Sequence, residues 1–398
     1  MKTTLTKISF FILISLITSS CNVIKRVGEN EHLLTQISVT VNDKKTSSEE
    51  ITNLIYQKPN NKLLGYPLRL LIYNLARKHK DSLFYVWLNK NPKRKNRLIK
   101  NLSKKQLERL KTSSLGFNKW LQKTGEAPVI VDAVKTEKSI NKLNQYYFAN
   151  GWFNVKTTSK TTKQENQRAT INYKITTGEP YILDSITTQI ASPIIDSLYQ
   201  LNKKNAIIQT GKQYKVTDFT KERYRLTNSF RNSGVYHFTQ DYIRFEHDTV
   251  GTQKKVNNLI KIQNRIIRNE DSTSQVPFKI FKIKEVNIYT DVTFDKKNRQ
   301  LQYAFDYNGY NLYSYDKMLY RPKSITDAVF ISKGNIFKEI DRTRTYRHLN
   351  ELKTFKYPNI EYVENLKDTT LTANIYLTPL KKYGLGFNAD ITQSIYNL

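Results

Sequence analysis

The chain repeats one pattern three times, in which a helix runs into a short turn rich in glycine or aromatic residues and then into strands. The helices are predicted over residues 136–150, 217–232 and 339–353. In the second and third copies a glycine precedes the helix, at Gly211 and Gly334. The spacing from Gly211 to Gly234 equals the spacing from Gly334 to Tyr357, at 23 residues. Repetition of one element order indicates a row of small modules rather than a single large core.

Each copy ends in strands whose apolar residues alternate with polar ones, the period expected of a strand with one buried face. The clearest runs are Ala169, Ile171, Tyr173 and Ile175 in the first copy, and Leu371, Ala373, Ile375 and Leu377 in the third. Opening strands are predicted at 181–190 and 278–289 for the second and third copies. The element order is therefore β–α–α–β–β, which predicts an α+β fold with helices on one face of each small sheet.

Composition decides which functions need to be considered. The 398 residues include 65 Lys and Arg against 34 Asp and Glu, which gives a net charge of +31. A charge of this size suits a nucleic acid or an anionic membrane surface as the partner. The single cysteine excludes an intramolecular disulfide and any metal site built from several cysteines.

The N-terminus predicts the compartment. Residues 1–20 carry two lysines and an apolar run of ten residues, which is too short for a transmembrane helix of roughly 20. Cys21 follows directly, and this arrangement resembles the lipobox of bacterial lipoproteins, which implies cleavage before Cys21 and its acylation, for example with palmitate. The alternative is a plain secretory signal with an incidental cysteine. In both cases the chain is exported, so we expect no nucleic-acid partner.

Residues 58–125 are predicted to be a mostly helical insertion in the first copy. Leu68, Leu71, Ile72 and Leu75 follow the helical period after a proline. Between residues 90 and 111 there are ten Lys and Arg and one acidic residue. This segment is either a surface that meets anionic lipid head groups or simply a solvated helical hairpin in a lysine-rich protein.

Several short motifs stand in the order found in outer-membrane assembly factors. They are Lys58-Pro59-Asn60, Leu63-Leu64-Gly65, Tyr73-Asn74-Leu75, Gly125-Glu126-Ala127-Pro128-Val129, Asn150-Gly151-Trp152-Phe153 and Gly178-Glu179-Pro180-Tyr181. With the repeat and Cys21, they resemble the polypeptide-transport-associated (POTRA) domains of BamA- and TamA-type proteins, and most closely the TamL family of lipoproteins. The resemblance implies a signal peptide over 1–20, a tether over 21–32, POTRA-like domains over 33–177, 178–270 and 276–378, and the start of a β-barrel over 379–398.

The last twenty residues support the barrel assignment. Apolar residues alternate with polar ones over nine positions, at Tyr383, Leu385, Phe387, Ala389 and Ile391, which is about the length of a membrane-spanning β-strand. An ordinary edge strand is the alternative. A single strand cannot span a bilayer because its backbone groups stay unpaired. We therefore expect either a fragment of a longer protein, which we favour, or a lipid-anchored POTRA array.

No grouping of residues predicts catalysis, a cofactor or a metal site. The five histidines are scattered, and Glu246-His247-Asp248 is a weak candidate because alternate residues of a strand face opposite sides. We therefore do not expect an enzyme.

The resemblance implies a factor of the outer membrane whose POTRA domains lie in the periplasm. Such domains bind an extended chain by adding it as a strand to a free sheet edge, and the candidate edges are residues 152–157 and 235–240. The implied partners are unfolded outer-membrane proteins, a TamB-like translocation partner, and the membrane through the lipid anchor and the barrel. The alternative is a lipid-anchored scaffold that bridges the envelope without inserting clients.

Overall fold

The computed structural model describes residues 23–77, 80–268, 272–293, 295, 299–365 and 367–380. The chain forms two compact units, Met1–Tyr181 and Ile182–Leu398. Cys21, the signal peptide over 1–20 and the barrel segment from residue 381 onward lie outside the described residues. In the described part of the chain, no helix combines the length and the apolar character needed to cross a membrane.

The first unit is built on a mixed four-stranded sheet. Its strands are β1 (Leu33–Val41), β2 (Lys44–Thr46), β3 (Lys156–Gln164) and β4 (Arg168–Thr176), in the order β2-β1-β4-β3. Strand β1 runs parallel to β4, and β3 is antiparallel to β4. The alternation predicted for β4 is confirmed, because Ala169, Ile171, Tyr173 and Ile175 are all buried.

Helices of the first unit occupy the long connection between β2 and β3. They are α1 (Glu49–Thr52), α2 (Leu68–Leu75), α3 (Lys80–Asn89), α4 (Pro92–Asn101), α5 (Lys104–Thr124) and α6 (Ala133–Ala149). Helix α6 covers the sheet with Leu143 and Tyr147, and Asp132 caps its first turn. A capping box of Ser103 and Gln106 begins α5, because each side chain binds the backbone N–H of the other residue.

The second unit contains two further sheets and a two-stranded ribbon. The three-stranded sheet has the order β5-β7-β6, with β5 (Ile182–Ile190), β6 (Ile243–Asp248) and β7 (Lys255–Ile262). The ribbon consists of β8 (Arg265–Arg268) and β9 (Thr273–Val276). The five-stranded sheet has the order β11-β12-β10-β14-β13, with β10 (Lys282–Tyr289), β11 (Tyr303–Tyr307), β12 (Tyr310–Ser314), β13 (Asn359–Glu364) and β14 (Thr370–Tyr376).

The helices of the second unit are α7 (Pro193–Asn202), α8 (Val216–Asn232), α9 (Pro322–Thr326) and α10 (Glu339–Glu351). The helix predicted over 217–232 is confirmed as α8, and Phe219, Leu226 and Phe230 are buried on one side of it. The order β5-α7-α8-β6-β7 is β–α–α–β–β. In the third copy, the chain between the opening strand and the helices also forms the hairpin β11–β12, which widens the sheet.

The three sheets share one arrangement of strands. In each, the opening strand pairs in parallel with the last strand. The opening strand also carries a β-bulge at its third residue, which is Thr35, Asp184 or Lys284. The segment before the main helix also forms an antiparallel bridge to the opening strand, at Ile130, Gln213 and Ile336. The repeat inferred from the sequence is therefore a repeat of backbone geometry.

The two residues that end the equal 23-residue spacings, Gly234 and Tyr357, do not occupy equivalent positions in their copies, however. Gly211 and Gly334 both have positive φ, and the helix begins five residues after each of them. Helix α8 has 17 residues and α10 has 13, so the next residue with positive φ is Gly234 in one copy and Lys353 in the other. Tyr357 lies beyond this point, because the third helix ends about one turn earlier.

Within the predicted tether over 21–32, residues 23–26 contact the helical insertion. The backbone carbonyl of Val23 accepts a hydrogen bond from Asn74 Nδ2 at 3.2 Å. Lys25 Nζ donates to the carbonyl of Asn74 at 3.1 Å, and Arg26 donates to the carbonyl of Ala76. Residues 23–26 therefore follow a fixed path along the end of α2.

The two sheets of the second unit are joined by a tight contact around the turn that ends α8. Arg231 Nη2 lies 2.5 Å from Glu339 Oε2 of α10, and Arg231 Nη1 donates to the carbonyls of Tyr236 and Phe238. The carbonyl of Gly234 accepts from the N–H of Phe281 at 2.9 Å. These contacts explain why the predicted second and third domains, 178–270 and 276–378, fall in one compact unit from Ile182 onward.

Gly234 provides a test of this joint. Its φ is +100°, and a Cβ there would lie 2.6 Å from both Ile280 Cγ2 and Ile336 Cγ2. We expect Gly234→Ala to lower the free energy of unfolding of the second unit by about 3–5 kcal/mol, from backbone strain plus overpacking. Gly211→Ala is the matched control, because its φ is +82° with no atom within 4 Å. It should cost only about 1–2 kcal/mol, and equal losses in urea titrations of the two variants would contradict the role of close packing.

Candidate strand-addition edges

Each sheet ends, on the side of its last hairpin, in a strand that is paired along one side only. These edge strands are β3, β6 and β13. Strand β3 is the longest, and each of its nine residues lies opposite a residue of β4. The outer backbone N–H and C=O groups of such a strand are a template for another extended chain. The three edges are therefore the candidate binding sites.

A groove runs beside β3 in the first unit. It is a cavity of about 560 Å³ between the strand and the first turns of α6. Its walls include Ser159, Thr161 and Lys163 of β3 and Ala133, Thr136 and Glu137 of α6. An extended peptide added to β3 would pair with its backbone and direct alternate side chains into this groove. The remaining walls are Asn30, Glu31 and His32 before β1 and Ile130 and Val131 before α6, so the lining mixes polar and apolar residues.

The third sheet repeats this arrangement on a smaller scale. A cavity of about 300 Å³ lies between β13 and α10, and it is lined by Arg342, Thr343, Tyr346, Pro358, Asn359 and Ile360. The far end of β13 is engaged within the chain. Glu364 Oε2 lies 2.8 Å from His237 Nε2 and 3.8 Å from Arg265 Nη2. Only the beginning of β13 therefore resembles the β3 edge.

The edge strand β6 is short and carries charges of both signs. Its Phe245 and His247 point toward α8, where both rings contact Phe219 at centroid distances of 5.2 and 4.6 Å. Glu246 on the other face forms an ion pair with Lys261 at 2.7 Å. Alternate residues thus face opposite sides, as predicted for Glu246-His247-Asp248. Among the described residues, no group of three or more His, Cys, Asp and Glu is placed to hold a metal ion.

The two edges predicted from the sequence are displaced. Residues 235–240 do not form a strand, and Val235 and Phe238 are completely buried in turns that follow α8. The strand begins at Ile243 instead. Residues 152–155 likewise form a turn, and only Lys156 and Thr157 belong to β3. In both cases apolar residues that close the core around a helix end were mistaken for a strand.

Sequence reasoning missed most of β3 because the strand contains no apolar residue. Its nine residues are Lys, Thr, Ser and Gln, and only Thr157 is buried. The alternation of β-branched Thr with Lys was the available signal, since threonine favours strands and lysine is a common residue on protected edges. Such a strand is recognised only through its partner, β4.

Comparison with known proteins gives structural neighbours but no sequence relatives. No protein-family profile matches the chain, and no curated protein does. POTRA domains 3–5 of BamA from Haemophilus influenzae share 8% identity over 89% of this chain and 99% of theirs, with a TM-score of 0.35. POTRA domains 1–3 of Omp85 from Anabaena share 9% identity over 89% of this chain and 98% of theirs, with a TM-score of 0.23.

A third neighbour is BamA from Haemophilus ducreyi lacking POTRA domains 1–3. It shares 6% identity over 50% of this chain and 30% of its own, with a TM-score of 0.33. TM-scores of this size carry no argument about this chain. Its fold therefore rests on its own strand order and register.

His237 contacts Glu364 at the end of β13. We expect its titration to make the stability of the second unit depend on pH. Burial and the nearby Arg265 guanidinium keep the pKa of His237 below its ordinary value, although the Glu364 carboxylate acts in the opposite direction. The unfolded chain then binds more protons near pH 6.5 than the folded chain does, so stability is lost as the pH falls through that region.

We expect the urea midpoint of the second unit to decrease between about pH 7.5 and 5.5. His237→Gln keeps a donor toward Glu364 but does not titrate, so it should make this decrease smaller. The decrease that remains comes from His247, whose pKa is also lowered by burial. Denaturation curves at several pH values, followed by circular dichroism, give the measurement. A variant with the wild-type slope would show that His237 is not responsible.

Proposed function

We propose that this chain belongs to an outer-membrane assembly and translocation factor of the BamA and Omp85 kind, most similar to the TamL family, and that its three sheets are POTRA domains. The supporting observation is the groove between β3 and α6, beside an edge strand paired along only one side. The repetition of the parallel opening pair and its bulge in all three sheets supports tandem domains of one type.

The proposed mechanism is capture of an unfolded client by strand addition, with no covalent step, cofactor or metal. A peptide paired with the outer side of β3 gains a few backbone hydrogen bonds, each worth about 0.5–1.5 kcal/mol net. Ordering the peptide consumes much of this gain, so binding is weak and reversible. That suits a factor that must release its clients for insertion. Backbone pairing also makes recognition largely independent of client sequence.

The proposed location is the outer membrane, with the POTRA domains in the periplasm. Residues 1–20 would be removed as a signal peptide, and Cys21 would carry the lipid. The segment from 379 would enter the β-barrel, and a TamB-like protein would be the translocation partner. The alternative of a lipid-anchored scaffold shares the anchor but has no client at β3, so client binding discriminates between the two.

Site-specific crosslinking tests client capture. A photoreactive amino acid at Thr162, which is exposed on β3, should crosslink to an unfolded outer-membrane protein. The control position is Tyr224, which is exposed on the helix α8 rather than on a strand edge, and it should give no client adduct. Equal labelling at the two positions, or labelling at Tyr224 alone, would reject β3 as the binding edge and favour the scaffold.

Metabolic labelling tests the lipid anchor. The wild-type chain should incorporate labelled palmitate, and Cys21→Ser should incorporate none, because the acyl group needs the sulfur. The double variant Cys21→Ser with Ser47→Cys restores one cysteine at an exposed position of the mature chain and should remain unlabelled. A labelled Cys21→Ser chain, or an unlabelled wild type, would disprove acylation at Cys21.

A further inference from the structure

The helical insertion exposes several large apolar side chains. On α5, Leu110, Phe117 and Trp120 are between 41% and 59% exposed. Their spacing of seven and three residues places them on one side of the helix, and the rings of Phe117 and Trp120 stack at 5.7 Å. On α3, Trp87 is 40% exposed. Two of the three tryptophans in the chain therefore lie on the surface of the insertion.

The same insertion holds about half of the net charge of the protein. Residues 58–125 contain eighteen Lys and Arg and two acidic residues, a net charge of +16 out of +31 for the whole chain. Arg97 and Lys100 on α4 and Arg109 on α5 are exposed. Arg109 lies eleven residues, about three helical turns, before Trp120, so it borders the apolar side of α5. Exposed tryptophan next to Lys and Arg is the composition of helices that lie at a membrane interface.

The path of the N-terminus links this surface to Cys21. Val23, two residues after Cys21, binds Asn74 on α2 through its carbonyl. The guanidinium of Arg26 also lies over the ring of Tyr73, 4.8 Å from its centroid. The chain that directly follows Cys21 in sequence is therefore held at the end of α2 from Val23 onward.

Helix α2 is in turn fixed to α5. The Oδ1 atom of Asn118 on α5 accepts from the N–H of Arg77 at 2.7 Å, and its Nδ2 donates to the carbonyl of Arg77 at 3.1 Å. Gly125, at the end of α5, approaches the backbone of Tyr73 so closely that a Cβ would lie 2.5 Å from the Tyr73 nitrogen. A lipid on Cys21 would thus hold the whole insertion at the membrane surface.

We propose that Trp87, Leu110, Phe117 and Trp120, with the surrounding basic residues, form a docking face for the anionic surface of the membrane in which Cys21 is anchored. The part of this argument that uses Cys21 rests on the proposed lipid anchor, whereas the exposed aromatic and basic residues do not. Charge complementarity identifies the partner as a phosphate-bearing lipid surface. The exposed aromatic rings enter the head-group layer, and the basic residues remain at the level of the phosphates.

The three tryptophans of the chain provide the test. Three single-tryptophan forms of the full chain, each with the other two tryptophans changed to Phe, retain Trp87, Trp120 or Trp152. Trp152 packs on the core of the first sheet and serves as the internal control. With vesicles of phosphatidylglycerol and brominated phosphatidylcholine, we expect a blue shift and quenching of Trp87 and Trp120, and no change at Trp152. Unquenched Trp87 and Trp120 would overturn the proposal.

Paired charge reversals test the electrostatic part. Arg97→Glu with Arg109→Glu should weaken binding to the phosphatidylglycerol vesicles about tenfold or more, because both residues meet the lipid phosphates. Lys203→Glu with Lys204→Glu, at two exposed positions that follow α7, changes the net charge by the same amount and should alter binding less than about twofold. Equal weakening by the two pairs would show only a general attraction of a basic protein, which would overturn the docking face.

Separate readouts distinguish this proposal from the lipid anchor. Quenching of Trp87 and Trp120 in the Cys21→Ser chain, together with absent palmitate labelling in the wild type, would remove the anchor and keep the docking face. Palmitate labelling without quenching would keep the anchor and overturn the docking face. A photoreactive residue at position 120 should crosslink to lipid, and adducts with an acidic protein in place of lipid would also overturn it.

Discussion

Parallel pairing between the first and last strands of each sheet is the constraint on which the rest of the fold depends. In the first unit, β1 and β4 are more than 130 residues apart in sequence at Thr35 and Ala169, so the chain must close a long loop before this pair can form. The apolar residues of β4, β7 and β14 are almost completely buried, and their burial offsets the entropy of that closure. Since closure entropy grows by only about 0.6 kcal/mol with each doubling of loop length, the first sheet accommodates four helices of insertion that the second lacks.

This pairing also determines which strands become edges. In each sheet the opening strand pairs with one side of the last strand. The strand just before the last one in sequence pairs with its other side and becomes an edge strand. The main helix lies over the same sheet, and a groove remains between helix and edge in the first and third sheets. The edge strand and the groove beside it are therefore a consequence of the topology and need no special residue, which agrees with the polar sequence of β3.

The contacts that join the second and third sheets show a limit of sequence reasoning. Arg231 and Glu339 are 108 residues apart, and nothing in the local pattern around either indicates that they meet. The sequence pattern places Gly234 in a turn, but its close approach to Ile280 and Ile336 depends on how two helices end and how two sheets meet. Similarly, the polar segment 23–32 has the composition of a tether, and only the position of Asn74 shows that it is held in place. Such contacts follow from packing between distant segments, which single-sequence patterns do not encode.

The sequence by itself determined the α+β class, the three copies, the main helices and the buried alternation of β4 and β14, because these depend on local periodicity of apolar residues. It also predicts acylation at Cys21, which stays a prediction. The strongly positive charge of the insertion is a property of composition and can be read from the sequence directly. Only the tertiary structure decided which strands are edges, where they begin, and that the last two sheets form one compact unit. It alone connected the residues after Cys21 to the helices that carry the basic and aromatic surface. The physical reason is that an edge, a groove or a joint is defined by what lies beside a segment, and that neighbour is distant in sequence.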